Sequence, residues 1–135
     1  RDEASGQEGS RLIERLEPIA ASAKIAILVN GETISAAEMF TAALQDHQRA
    51  VVIGETTFGK GIAQAILLMP NGTRLRITNQ RYFTPKGRWL GNGDNSSERY
   101  GVVPEHLVKL EDRPDILLGS AQDNQLSFAI ELLSK

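Results

Sequence analysis

Cysteine is absent from the 135 residues, which excludes disulfides and thiolate-bound metal and is compatible with any compartment. No apolar run approaches the roughly 18 residues that a membrane span needs, and no signal peptide heads the sequence. The chain begins at Arg1 rather than methionine, which leads us to expect a fragment or a processed product. Charge of one sign is also lacking: 15 Lys and Arg stand against 17 Asp and Glu, for a net charge of −2. With no long basic run there is no electrostatic reason to expect nucleic acid as a partner. No internal repeat is present. What is there is ordinary for a globular protein, with 41% hydrophobic and 24% charged residues, and the length suits one domain or part of one.

The most informative stretch is 24–64, KIAILVNGETISAAEMFTAALQDHQRAVVIGETTFGKGIAQ. KIAILVN is a short apolar, β-branched run, too short for a helix and bounded by Asn30 and Gly31. Thr33 and Ser35 then offer hydroxyls where a helix can begin. Met39, Phe40, Ala43 and Leu44 fall at helical spacing and predict the buried stripe of that helix. AVVIGE reads as a second buried strand. The order strand, helix, strand predicts a parallel pair with a right-handed crossover, hence an α/β fold.

That topology puts two residues of chemical interest at one place. Ser35 lies where a strand turns into a helix, at the carboxyl edge where open α/β sheets bind ligands. The N–H of Ala36 lies at a helix N-terminus and can stabilise negative charge. Lys60, between Gly59 and Gly61 after the second strand, returns to the same edge. Serine is a weak nucleophile without a base, and a lysine serves as base only in its neutral form, which burial favours. Plainer roles are open to both: Ser35 as a simple N-cap, and Lys60 as a solvated loop residue or a phosphate grip. A phosphate loop of the form GxxxxGK[ST] is excluded, because Gly61 follows Lys60. His47 and His106 have no acid or serine at a triad spacing.

The rest of the chain reads as supporting structure. Residues 1–10 are polar and aperiodic, and Leu12, Ile13, Leu16 and Ile19 predict a packing helix after Ser10 that ends or kinks at Pro18. AQAILLMP and TRLRITNQRYF read as a hairpin turning at Asn71 and Gly72. Leu75 and Ile77 alternate with Arg74 and Arg76, which predicts one buried and one wet face. Tyr82 reads as core rather than site wall, and Trp89 as the anchor of an irregular loop. GNGD in that loop lacks the spaced carboxylates of a calcium site. GVVPEHLV predicts an edge strand around Val102 and Val108, and nothing in its spacing places Glu105 in a site. Asp123 caps a last helix with Leu126, Ala129, Ile130 and Leu133 on one face.

Four blocks together resemble a known family: NGETISAAEMFTAALQDH, RAVVIGETTFGKGIAQ, RITNQRYFTPKGR and YGVVPEHLV. They are similar to the C-terminal processing peptidases, or tail-specific proteases, serine endopeptidases that use a Ser–Lys pair. The resemblance runs from about Lys24 to the C-terminus. It implies that Ser35, three residues before Glu38, is the nucleophile, that Lys60 in TFGKG is the general base, and that Gln64 helps position that lysine. Ala36 then supplies an oxyanion N–H. The small-residue run around the nucleophile is thinner here, with Thr33, Ile34 and Ala37 where serine or alanine is frequent.

Further expectations follow from the resemblance. The fold is a crotonase-like mixed sheet with packed helices, with 1–23 a lead-in and packing helix and 24–135 the C-terminal part of the catalytic domain. Polypeptides are the substrates, and no metal or organic cofactor is needed. The location is periplasmic or otherwise exported. The family's glycine-rich segment, source of a second oxyanion donor, and its peptide-binding PDZ domain are not found in these residues. A PDZ domain or adaptor is therefore an outside partner, the chain alone is expected to cleave poorly, and self-association is expected over the exposed surface. Two rivals share the fold: a non-catalytic binding module, and a crotonase-like acyl-CoA enzyme, which has no use for Lys60 at this spacing.

Overall fold

The computed structural model describes residues 22–91, 101–111 and 117–135. The lead-in and the helix expected between 11 and 23 lie, as far as residue 21, outside the described residues. Strand β1 (Ala26–Val29) is followed by helix α1 (Ala36–Asp46) and strand β2 (Val51–Gly54). The two strands pair in parallel, Ala26 against Val51 through Val29 against Gly54, as the strand, helix, strand order predicts. Strand β5 (His106–Leu107) adds to the far side of β2, also parallel, giving the order β1-β2-β5.

Side chains alternate along a strand, so Ile27 and Val29 share a face with Val52. That face packs with Ala42 of α1, and Leu90 and Val102 complete the cluster. Ile53 takes the opposite pleat and is fully buried, on the side where helix α2 (Asn124–Ser134) contacts β1 and β2. Helices on both faces of a parallel sheet are the α/β arrangement. The Asp123 carboxylate caps α2, accepting the Leu126 N–H at 2.9 Å and the Gly119 N–H at 2.9 Å. Those bonds, led by Gly119, hold its carboxyl below the ordinary range despite burial.

Strands β3 (Ile62–Leu68) and β4 (Arg74–Arg81) form a separate antiparallel hairpin, turning at Asn71 and Gly72. Here the expectation of one buried face fails. Leu75 and Ile77 are 43% and 42% exposed, and Ile66 and Leu68 on the other face are 61% and 75% exposed. The reason is topological: the hairpin is its own two-stranded sheet, not joined to β1-β2-β5. Two further corrections concern side chains. Val102 is fully buried in the core rather than on an edge strand, and the strand itself is only His106–Leu107. On α1, Met39 and Phe40 face solvent, at 39% and 62%, while Glu38, Thr41 and Ala42 are buried.

Candidate active site

Because β1 and β2 are parallel, the segments that follow them emerge at the same edge of the sheet. Residues 30–35 lead from β1 into α1, and residues 55–61 lead from β2 into the hairpin. The Phe58 N–H donates to the Thr33 carbonyl at 3.0 Å, stitching the two segments together. This edge carries both Ser35 and Lys60.

Ser35 occupies the N-cap position of α1 with φ 62° and ψ −118°. An N-cap serine ordinarily sits in the β region. A positive φ at a non-glycine residue costs on the order of 1–3 kcal/mol and is held only where neighbouring structure over-determines it. Sharp strand-to-helix turns with a strained serine are a known way of presenting a nucleophilic hydroxyl above a sheet. The next residue, Ala36, opens the helix, and its N–H has no intrahelical acceptor. It lies at the positive end of the helix dipole.

What holds this turn is Glu38, a fully buried carboxylate one turn into the helix. Its Oε2 accepts the Ser35 N–H at 2.8 Å and the Lys60 N–H at 2.9 Å. Its Oε1 accepts the Thr57 hydroxyl at 2.6 Å and the Gly59 N–H at 2.6 Å. A buried carboxylate is costly unless fully hydrogen-bonded, and this one has four donors. Thr57 in turn accepts the Val102 N–H at 2.7 Å, tying the loop to the core. Glu38 entered the sequence reading only as a marker in the Ser35 motif. The signal that identifies it is the S-x-x-E capping-box spacing, in which the acid at N3 reaches back to the N-cap N–H.

The loop that carries Lys60 requires its glycines. Gly59 has φ 84°, and a side chain there would press on the Gly101 N–H at 3.2 Å. A Cβ on Gly61 would strike the Gly91 backbone and the Trp89 indole. Trp89 donates its Nε1–H to the Gly61 carbonyl at 3.0 Å, so it is a loop anchor, as the sequence suggests. A second anchor joins α1 to the segment before Trp89: Asp46 accepts the Lys86 N–H at 2.9 Å and meets Arg88 at 3.2 Å. Burial raises the Asp46 carboxyl, but bonds from Thr84, Lys86 and Arg88 outweigh it and hold the group below its usual range.

The structure brings Ser35, Ala36 and Lys60 to one edge, yet the two side chains of the expected pair are not hydrogen-bonded to each other. Lys60 is exposed, so the described residues do not provide the burial that a neutral base calls for. Gln64 starts out along β3 and donates to the Thr78 hydroxyl at 3.1 Å across the hairpin, not to Lys60. His47 is exposed at the end of α1, and His106 packs against Phe128 with ring centroids 5.4 Å apart. Glu105 accepts the Val52 N–H at 2.8 Å, a structural role. Among the described residues no cluster of three or more His, Asp or Glu side chains could hold a metal ion, and no helix is long and apolar enough to cross a membrane.

A serine at a strained helix start, beside a lysine loop fixed by the same carboxylate, defines a candidate serine-nucleophile site on an α/β sheet. The sequence profile of Peptidase family S41 matches residues 2–107, and the chain belongs to that family. It is 34% identical over 113 residues to a carboxyl-terminal-processing protease of Picosynechococcus, covering 84% of this chain and 26% of that protein. It is 40% identical over 88 residues to the chloroplastic carboxyl-terminal-processing peptidase 2 of Arabidopsis thaliana, covering 65% of this chain and 16% of that one. Among solved structures it is similar to a photosystem II D1 C-terminal processing protease, with TM-score 0.59 and 33% identity over 65% of this chain and 21% of the other. The chain thus spans about a quarter or less of the length of these relatives.

Proposed function

We propose that the protein carrying this chain is a serine endopeptidase that cleaves polypeptides near their C-termini, with Ser35 as nucleophile and Lys60 as general base. The observation that carries the reading is the backbone of Ser35, held at positive φ against the start of α1 by the carboxylate that also holds Lys60. Ser35 Oγ attacks the peptide carbonyl and its proton passes to neutral Lys60, which returns it to the leaving amine. Water then releases the acyl group from Ser35 by the same exchange in reverse. The Ala36 N–H takes the developing oxyanion, a contact of a kind whose loss costs about 3 kcal/mol. Lys60 receives its apolar cover from the seated substrate, and Gln64 comes to bear on it in that state.

Membership of the peptidase family and its similarity to carboxyl-terminal-processing proteases support this reading. The same proposal includes the crotonase-like form of the α/β fold, an exported or periplasmic location, and a PDZ domain or adaptor as partner. Self-association belongs to it too, supported by the exposed Leu67, Leu75 and Ile77 on one hairpin face. A binding-only module is the second reading, and the exposed Lys60 without a bond to Ser35 favours it. Incubation of the full-length protein with an unstructured polypeptide separates the two. Cleavage that disappears in Ser35→Ala supports the peptidase, and cleavage equal in both, or binding without cleavage, contradicts it.

A further inference from the structure

We propose that Trp89 is a positioning residue for Lys60, holding the chain just after the lysine through its indole N–H; this rests on the peptidase reading above. Lys60 is tied on both flanks. Its own N–H is taken by Glu38 Oε2. The carbonyl of the next residue, Gly61, is taken twice, by the Tyr82 N–H at 2.8 Å and by Trp89 Nε1–H at 3.0 Å. A carbonyl has two lone pairs, and with both engaged the peptide plane between Gly61 and Ile62, one residue beyond Lys60, is fixed.

Trp89 is itself held from several directions. The Arg81 guanidinium lies over its ring, 4.9 Å from the centroid. Phe83 pairs with it across a two-residue bridge, and the following Leu90 is 2% exposed in the core. Gly61 and Gly91 leave no room for a Cβ against the indole, so ring and loop are in direct contact. Arg88, immediately before it, is joined to Asp46 at the end of α1, the helix whose start carries Ser35. Nucleophile and base are therefore referenced to one rigid helix, through Glu38 at one end and through Asp46, Arg88 and Trp89 at the other. Packing alone would need only the shape of the indole. Positioning needs its N–H.

The test separates shape from donor in the full-length protein. Trp89 is replaced by 3-benzothienylalanine, which keeps the bicyclic shape and puts sulfur where the N–H was, and by 7-azatryptophan, which keeps the N–H. Steady-state cleavage of an unstructured polypeptide and amide hydrogen exchange at Lys60 and Ile62 are measured for both. The benzothienyl protein is expected to lose about fivefold in kcat, the worth of one net hydrogen bond, with KM unchanged and exchange at Lys60 faster. The azatryptophan protein restores both. An unchanged kcat in the benzothienyl protein, an equal loss in the azatryptophan protein, or a loss expressed in KM overturns the positioning role. If the parent shows no Ser35-dependent cleavage, the peptidase reading has failed and the catalytic part of this proposal falls with it. In that case exchange at Lys60 and Ile62 unchanged by the benzothienyl group overturns the clamp as well.

Discussion

The backbone N–H groups of Ser35 and Lys60 converge on a single oxygen, Oε2 of Glu38, at 2.8 and 2.9 Å. The two residues sit on different loops, after different strands, and they are joined by a carboxylate rather than by each other. Glu38 therefore sets where the serine turn and the lysine loop stand with respect to one another.

Removing that carboxylate leaves buried donors unsatisfied. Glu38→Ala is expected to lower unfolding free energy by about 3 kcal/mol or more, since the buried Thr57 hydroxyl and Gly59 N–H lose the carboxylate oxygen they donate to. Glu38→Gln presents an NH2 group to N–H donors at one of its two positions and costs about 1–3 kcal/mol. Urea denaturation measures both. A change below about 0.5 kcal/mol in either variant removes Glu38 from its organising place.

Strain at Ser35 gives stability and activity opposite signs. Glycine tolerates φ 62° without penalty, so Ser35→Gly is expected to raise stability by about 1 kcal/mol while abolishing cleavage. Ser35→Ala keeps the Cβ, hence the strain, and gains nothing. Thermal melting of the three proteins decides the point, and a Ser35→Gly protein less stable than Ser35→Ala refutes it.

Two glycines next to the loops behave differently. A Cβ on Gly61 would meet the Gly91 backbone and the Trp89 ring, and Gly61→Ala is expected to cost about 3 kcal/mol through forced displacement. Gly31, in the turn after β1, has open space around it, and Gly31→Ala stays within about 0.5 kcal/mol of the parent. Similar values for the two, read by the same denaturation, contradict the packing of the Lys60 loop.

The two capping and anchoring aspartates set the acid limit. The carboxyls of Asp46 and Asp123 are held below the usual carboxylate range in the folded chain by the hydrogen bonds they accept. A depressed folded value means that the unfolded chain binds protons first, so their stabilisation is full above about pH 4 and lost as pH falls below it. Stability measured between pH 6 and pH 2.5 is expected to fall below pH 4, and less steeply in Asp46→Asn. A slope unchanged in that variant removes the Asp46 anchor from the account.

Much of this arrangement is legible in the residues. Short β-branched runs either side of a helical segment led to the parallel pair, Asn71 and Gly72 to the hairpin, and Asp123 to the start of α2. The edge shared by Ser35 and Lys60 follows from that topology alone. The misses have a common cause. Met39 and Phe40 satisfy helical spacing, but α1 turns Glu38 inward because three donors on a separate loop, with the Ser35 N–H, need its carboxylate, and the apolar pair is left outside. Leu75 and Ile77 alternate as a half-buried strand does, but alternation does not say whether a second layer lies against the hairpin. Trp89 could be read as an anchor from its glycine-rich setting, whereas its partner, the Gly61 carbonyl, is a tertiary contact with no local signal.

The most direct measurement is covalent trapping of the nucleophile. The full-length protein, treated with a peptidyl phosphonate and digested, is predicted to carry the adduct on Ser35. Its labelling rate in Lys60→Arg is predicted to fall about 100-fold or more, because arginine stays charged and cannot take the serine proton. An adduct on another residue, or labelling of Ser35 at the parent rate in Lys60→Arg, would contradict the Ser35–Lys60 site.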